Sequence, residues 1–171
     1  MDFTAHYLSP LGDITLASDG TALVGLWFDG QQHFGSTLCD DHVESPDLPI
    51  FVETRRWLDT YFSGVEPDFT PPLSLRGTDF QQEVWHMLLS IPYGQTLTYV
   101  AIARSISAQR SGRPMAAQAV GGAVGHNPIS LIIPCHRVVG SNGSLTGYAA
   151  GLHRKAHLLQ MEQLSTAFLR S

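Results

Sequence analysis

The sequence predicts a mixed α+β chain, with a strand-rich first half carrying one helix and a mostly helical second half. Three observations predict it. Apolar and polar residues alternate over the first thirty positions, apolar residues recur at helical spacing in two later segments, and a proline-rich connector lies between the halves. A length of 171 residues suits one domain or two small subdomains.

The alternating runs Phe3 to Leu8, Asp13 to Ala17 and Ala22 to Phe28 are separated by Ser9-Pro10-Leu11-Gly12 and Ser18-Asp19-Gly20, which predicts antiparallel strands joined by tight turns. A polar, acidic stretch from Asp29 to Asp47 follows. Ile50, Trp57, Leu58, Tyr61 and Phe62 then fall near helical spacing until Gly64 ends the pattern. Val65 to Gly77 contains Pro67, Pro71 and Pro72 and reads as a linker, so the expected domains are 1–77 and 78–171. Thr78 with Gln81 suggests a capping box for a helix over about 79–91, with Phe80, Val84, Leu88 and Ile91 as its apolar stripe. Thr98 can cap a second helix through Ile106. A third helix is expected from Met115, built almost wholly of small residues and ended by Gly125 and Asn127-Pro128. Ile129 to Ile133 reads as a short strand leading to Pro134-Cys135-His136-Arg137, Asn142-Gly143 as a hairpin turn, and Leu152 to Leu164 as the last helix.

No apolar run approaches the roughly 18 residues that span a bilayer, and the N-terminus lacks a secretory pattern, so a cytoplasmic location is expected. Cys39 and Cys135 are then free thiols. The net charge of −5 is unevenly spread: residues 1–79 hold three basic and thirteen acidic side chains, a balance of −10, whereas residues 80–171 hold seven and two, a balance of +5. The second half can therefore face a polyanion, although seven scattered cations also describe an ordinary solvated surface. His33, Cys39 and His42 loosely resemble metal-ligand spacing but have no fourth partner at a fixed interval, so no metal is expected. Gly121-Gly122 lies inside a predicted helix and not between a strand and a helix, which implies no nucleotide cofactor.

Cys135 beside His136 allows two readings. Cys135 is either a small core residue with a histidine neighbour, or a nucleophile whose proton His136 helps remove, since a thiolate and not a thiol attacks. In the second reading a third group orients the imidazole, and Glu162 is the candidate, one of two acidic residues after position 79.

The run from Asn127-Pro128 through Ile132-Ile133-Pro134-Cys135-His136-Arg137-Val138 to Gly147-Tyr148, Lys155, Leu158-Leu159 and Glu162 resembles the O6-alkylguanine-DNA alkyltransferases, over about Phe80 to Glu162. The resemblance implies a small antiparallel sheet plus helix before residue 78, and a winged helix-turn-helix-like subdomain carrying the active-site cysteine after it. It implies irreversible, single-turnover transfer of an alkyl group from O6-alkylguanine to Cys135 without a cofactor, and leaves O4-alkylthymine open as a further substrate. His136 relays the thiol proton through a water, Glu162 holds His136, and Asn127 braces the turn between recognition helix and active-site strand. Tyr99, Val138, Tyr148 and Lys155 form the pocket for a flipped guanine, with Tyr99 protonating the departing base. The partner is double-stranded DNA met through its minor groove by a monomer. Ala116, Ala117, Gln118, Ala119 and Gly122 belong to the recognition helix, with Arg110, Arg113 and Arg137 as further DNA contacts.

The chain departs from the family pattern at Gln118, where an Arg usually fills the gap left by the flipped base, in a longer Ser107–Pro114 segment, and at Ala150, where Gly is common. The rival readings are an alkyltransferase-like lesion-binding protein without chemistry, a cysteine hydrolase using the same trio, and a helix-turn-helix regulator.

Overall fold

A computed structural model describes residues 1–110 and 112–170, which leaves residue 111 of the Ser107–Pro114 segment outside the described residues. The chain divides into two compact units, Met1–Arg76 with Pro128–Ile132, and Gly77–Asn127 with Ile133–Ser171.

In the first unit, strands β1 (Asp2–Ser9), β2 (Gly12–Ser18), β3 (Leu23–Phe28) and β4 (His42–Glu44) form one sheet in the order β3-β2-β1-β4. The first three pair antiparallel, as the alternation predicts, and β4 adds in parallel to β1. β3, at one edge of the sheet, is buried along its whole length. Helix α1 (Pro49–Phe62) buries Ile50, Phe51, Thr54, Trp57, Leu58 and Tyr61 on one face. Pro49 suits its first turn because that backbone N–H would lack a helical partner anyway.

The run Ile129 to Ile133, expected as a strand, is not one. It contributes an isolated parallel bridge between Ile129 and Leu26, through Leu26 N–H to Pro128 O (2.8 Å) and Ser130 N–H to Leu26 O (3.0 Å). Leu131 then enters the left-handed region at φ 72°. Such a backbone cannot continue an extended ladder.

The second unit holds α2 (Asp79–Leu89), β5 (Leu97–Thr98), α3 (Tyr99–Gln109), α4 (Ala117–Gly125), β6 (Val138–Val139) and α5 (Leu152–Arg170). The capping box on α2 is complete, with Thr78 Oγ1 accepting from Gln81 N–H and Gln81 Oε1 accepting from Thr78 N–H. Ser90 ends α2 two residues earlier than the apolar stripe suggests. Thr98 caps α3 by accepting from Ala101 N–H at 3.0 Å. Helix α4 starts after Ala116, still extended at ψ 134°, and so two residues later than Met115. Asn142-Gly143 turns the chain within a short 3-10 segment, Ser141–Gly143, and not a hairpin, because β6 pairs in parallel with β5. No described helix is long and apolar enough to cross a membrane.

Candidate active site and nucleic-acid interface

The site forms in the second unit where a 3-10 turn, Cys135–Arg137, meets the inner face of α5. Pro134, at φ −80° and ψ 67°, bends the chain into this turn, and its carbonyl accepts from Arg137 N–H at 3.0 Å. Cys135 therefore sits on a turn and not at the mouth of a strand. With about three residues per turn, successive side chains leave a 3-10 helix in different directions. His136 and Arg137 can therefore flank one partner while Cys135 points elsewhere.

That partner comes from α5, where Lys155, Leu158, Leu159 and Glu162 follow the spacing of one helix face and are all buried. Glu162 Oε2 lies 2.5 Å from His136 Nε2, and the carboxylate also accepts from Arg137 Nε at 2.8 Å, Arg137 Nη2 at 3.2 Å and Gly94 N–H at 3.1 Å. His136 and Glu162 are fully buried and Cys135 is 4% exposed. Burial alone would raise the Glu162 carboxyl, but hydrogen bonds and charge from His136 and Arg137 outweigh it and hold the group well below the usual carboxylate range. Burial lowers the His136 pKa, although the hydrogen bond and charge of Glu162 pull it the other way. Burial raises the Cys135 pKa, against the opposing pull of Asn127, Lys155 and Tyr148.

Around the sulfur, Asn127 is buried and donates from Nδ2 to Ile133 O at 2.7 Å. The Tyr99 hydroxyl donates to Thr146 O at 3.1 Å. Lys155 Nζ donates to the same carbonyl at 3.0 Å and to Gly147 O at 3.1 Å, and stands 5.9 Å from the centre of the Tyr99 ring. Burial lowers the Lys155 pKa to about 8, even though Cys135 nearby opposes the shift. Burial also raises both tyrosines, Tyr148 well above its ordinary value. Tyr148 is among the groups that influence the sulfur, although its buried hydroxyl meets no normal hydrogen-bond geometry. Val138 is buried in β6.

Helices α3 and α4 pack together, and Trp85 of α2 fastens α4 by donating from Nε1 to Ala123 O at 2.9 Å. Val120, Ala123 and Val124 face inward. Ala116, Gln118, Ala119 and Gly122 are exposed and Ala117 is half-buried, so α4 presents a low surface with one long polar side chain. Arg113 is exposed. Arg110 instead pairs with Glu83 at 2.6 Å and covers the Phe80 ring. Arg137, expected to touch DNA, does not face solvent. It is 9% exposed, bound to Glu162 and to Ile91 O at 2.9 Å, with its guanidinium 5.5 Å from the centre of the Tyr93 ring. The turn swings it inward, and a nearly buried carboxylate–guanidinium fork holds it there.

His33, Cys39 and His42 form no metal cluster, and no group of three or more such ligands occurs among the described residues. Cys39 is exposed, and its sulfur accepts from Arg76 Nη1 at 3.7 Å. The features that sequence reasoning missed are Arg137 as a partner of Glu162, and three backbone groups: Gly94 N–H, Ile91 O and Thr146 O. Pro92-Tyr93-Gly94 reads only as a helix stop, yet Gly94 at φ 79° is the one available sign of a specially shaped donor loop.

Residues 79–164 match the family model described as 6-O-methylguanine DNA methyltransferase, DNA binding domain, and residues 3–75 match that described as 6-O-methylguanine DNA methyltransferase, ribonuclease-like domain. Among similar proteins is a methylated-DNA–protein-cysteine methyltransferase of Mycobacterium tuberculosis, 47% identical over 155 residues, or 91% of this chain and 88% of that protein. One of Methanosarcina acetivorans is 44% identical over 161 residues, covering 94% and 97%. The crystal structure of Mycobacterium tuberculosis O6-methylguanine methyltransferase superposes with a TM-score of 0.82 at 43% identity, covering 96% of this chain and 94% of that one. A structure of the Mycobacterium tuberculosis protein in complex with DNA gives a TM-score of 0.80 at 42% identity, covering 96% and 93%.

Proposed function

Since the chain belongs to the 6-O-methylguanine DNA methyltransferase family, we propose that it reverses DNA alkylation directly, moving an alkyl group from O6 of a flipped-out guanine onto Cys135. The observation that carries this reading is the fully buried His136–Glu162 pair, 2.5 Å apart, beside a nearly buried cysteine.

Glu162 engages His136 Nε2, so the ring takes up a proton through Nδ1 with Nε2–H donating to the carboxylate. The thiol proton leaves to His136 as the sulfur attacks the alkyl carbon. The new carbon–sulfur bond forms as the carbon–oxygen bond breaks, and its electron pair passes into the purine. Tyr99 Oη then turns from Thr146 O to give the purine a proton, which stabilises the developing anion. Tyr148, Val138 and Lys155 enclose the base, and Asn127 fixes Ile133 just before the cysteine. The thioether product has no group in the site that hydrolyses it, so each chain reacts once.

On the DNA side, α4 lies in the minor groove, where its small exposed residues permit close approach and Gln118 fills the space of the extruded base. Arg113 meets phosphate. The reading includes action as a monomer in the cytoplasm.

The test is stoichiometry. Titrating the chain with duplex DNA containing O6-methylguanine should end at one methyl group per chain. Many lesions processed per chain would point to a hydrolase, and none would leave a lesion-binding protein.

A further inference from the structure

We propose that Arg137 is a positioning residue for the transfer: its guanidinium, forked onto the same Glu162 carboxylate that holds His136, supplies that carboxylate's counter-charge and so leaves the imidazole able to accept the thiol proton. The inference rests on His136 acting as the base, as proposed above.

The geometry makes the charge balance specific. Glu162 Oε2 is shared, 2.5 Å from His136 Nε2 and 3.2 Å from Arg137 Nη2, while Oε1 takes Arg137 Nε at 2.8 Å and Gly94 N–H at 3.1 Å. Arg137 is itself fixed by Ile91 O at 2.9 Å and by the Tyr93 ring beneath its guanidinium. A carboxylate this deeply buried, facing only a neutral imidazole, would carry an unbalanced charge in a low-dielectric site. The least costly escape is for His136 to take a proton from solvent and become the counter-ion. An imidazolium cannot then accept the proton of Cys135. With Arg137 in place the negative charge is already matched, and the guanidinium also opposes a second positive charge on the ring. Among the described residues, the other charged and titratable groups that act on His136 and Glu162 include Arg137 from the turn, Lys155 from α5 and Tyr148 from the loop before α5. Arg137 is the cation that contacts the carboxylate, because Lys155 Nζ spends its bonds on Thr146 and Gly147 carbonyls.

The experiment is the pH profile of single-turnover methyl transfer, from pH 5 to 9, with chain in excess over duplex DNA containing O6-methylguanine. Arg137→Met should move the acid limb of the rate to higher pH by about one unit, a rate loss of about 10-fold below the limb and little loss above it. Arg137→Lys keeps the charge and should leave the limb in place, with a smaller loss at every pH. A limb that stays put in Arg137→Met, or a loss equal at every pH, overturns the proposal and leaves Arg137 a structural residue. Should Arg137→Met fail to fold, 15N NMR of the histidine rings in the unsubstituted chain decides: a neutral His136 at pH 7 is expected, and a charged ring there overturns it. Failure of the underlying reading looks different, since His136→Gln would then transfer methyl groups at the unsubstituted rate.

Discussion

Replacing Glu162 by Gln changes one charge and almost no volume at the centre of the buried site. The carboxylate accepts from His136 at 2.5 Å, from Arg137 at 2.8 and 3.2 Å, and from Gly94 N–H at 3.1 Å. A carboxamide accepts at only one of the two positions. Its NH2 group must face either His136 and Arg137, or Arg137 and Gly94, and both arrangements set donors against a donor and strand the guanidinium charge. Removing one partner of a buried pair costs about 3–5 kcal/mol. At about 2–4 °C per kcal/mol for a chain of this size, Tm should fall by about 6–20 °C. The pH dependence has a definite sign. Glu162 is held well below the usual carboxylate range in the folded chain, whereas it titrates near about 4.3 when unfolded. Its stabilisation is therefore complete above that value and drains away as the pH falls toward the folded pKa. Urea unfolding of both proteins at pH 7, 5 and 3 measures this directly. A difference under about 1 kcal/mol at pH 7, or one that does not shrink between pH 5 and 3, would refute the reasoning.

Other outcomes follow from the same geometry. Lys155 is lowered to about 8 while an unfolded lysine keeps its proton to about 10.4. The unfolded chain thus binds more protons between those values, so stability rises with pH across that window; Lys155→Met should flatten the rise, as denaturant titrations at pH 7.5 and 10 would show. Arg113→Ala should reduce the slope of log K against log salt for duplex binding by about 0.9. Arg110→Ala should leave that slope unchanged, because Glu83 already neutralises Arg110; equal effects of the two would contradict the pairing. Gln118→Arg adds a cation to the exposed face of α4 and should tighten binding to lesion-bearing duplex, with equal or weaker binding in a mobility-shift titration counting against it.

Much of the fold is legible because it rests on local rules. The period of two marks β1 to β3, and Thr78 and Thr98 announce the starts of α2 and α3. The last helix is legible too, but not its inward face of Lys155, Leu158, Leu159 and Glu162, which buries two charges that composition alone would place outside. What escapes the sequence is non-local or carried by the backbone. Ile129 to Ile133 has the composition of a strand, yet Leu131 at φ 72° breaks it. Val138 and Val139 find β5 as a parallel partner across forty intervening residues, so Asn142-Gly143 has no hairpin to turn. The site shows the same division. His136 and Glu162 are visible as residue types, and the structure brings them together. Gly94 N–H and Thr146 O are backbone groups that no side chain advertises. Arg137, expected as a DNA contact on the resemblance alone, escapes because the 3-10 turn that buries it depends on where α5 lies.

The most direct measurement is to incubate the chain with duplex DNA carrying O6-methylguanine, digest it, and map added methyl groups by mass spectrometry. A single methylated site at Cys135, and none in Cys135→Ser, is the predicted result. Methylation at Cys39, or modification that survives the Cys135→Ser substitution, would contradict the account.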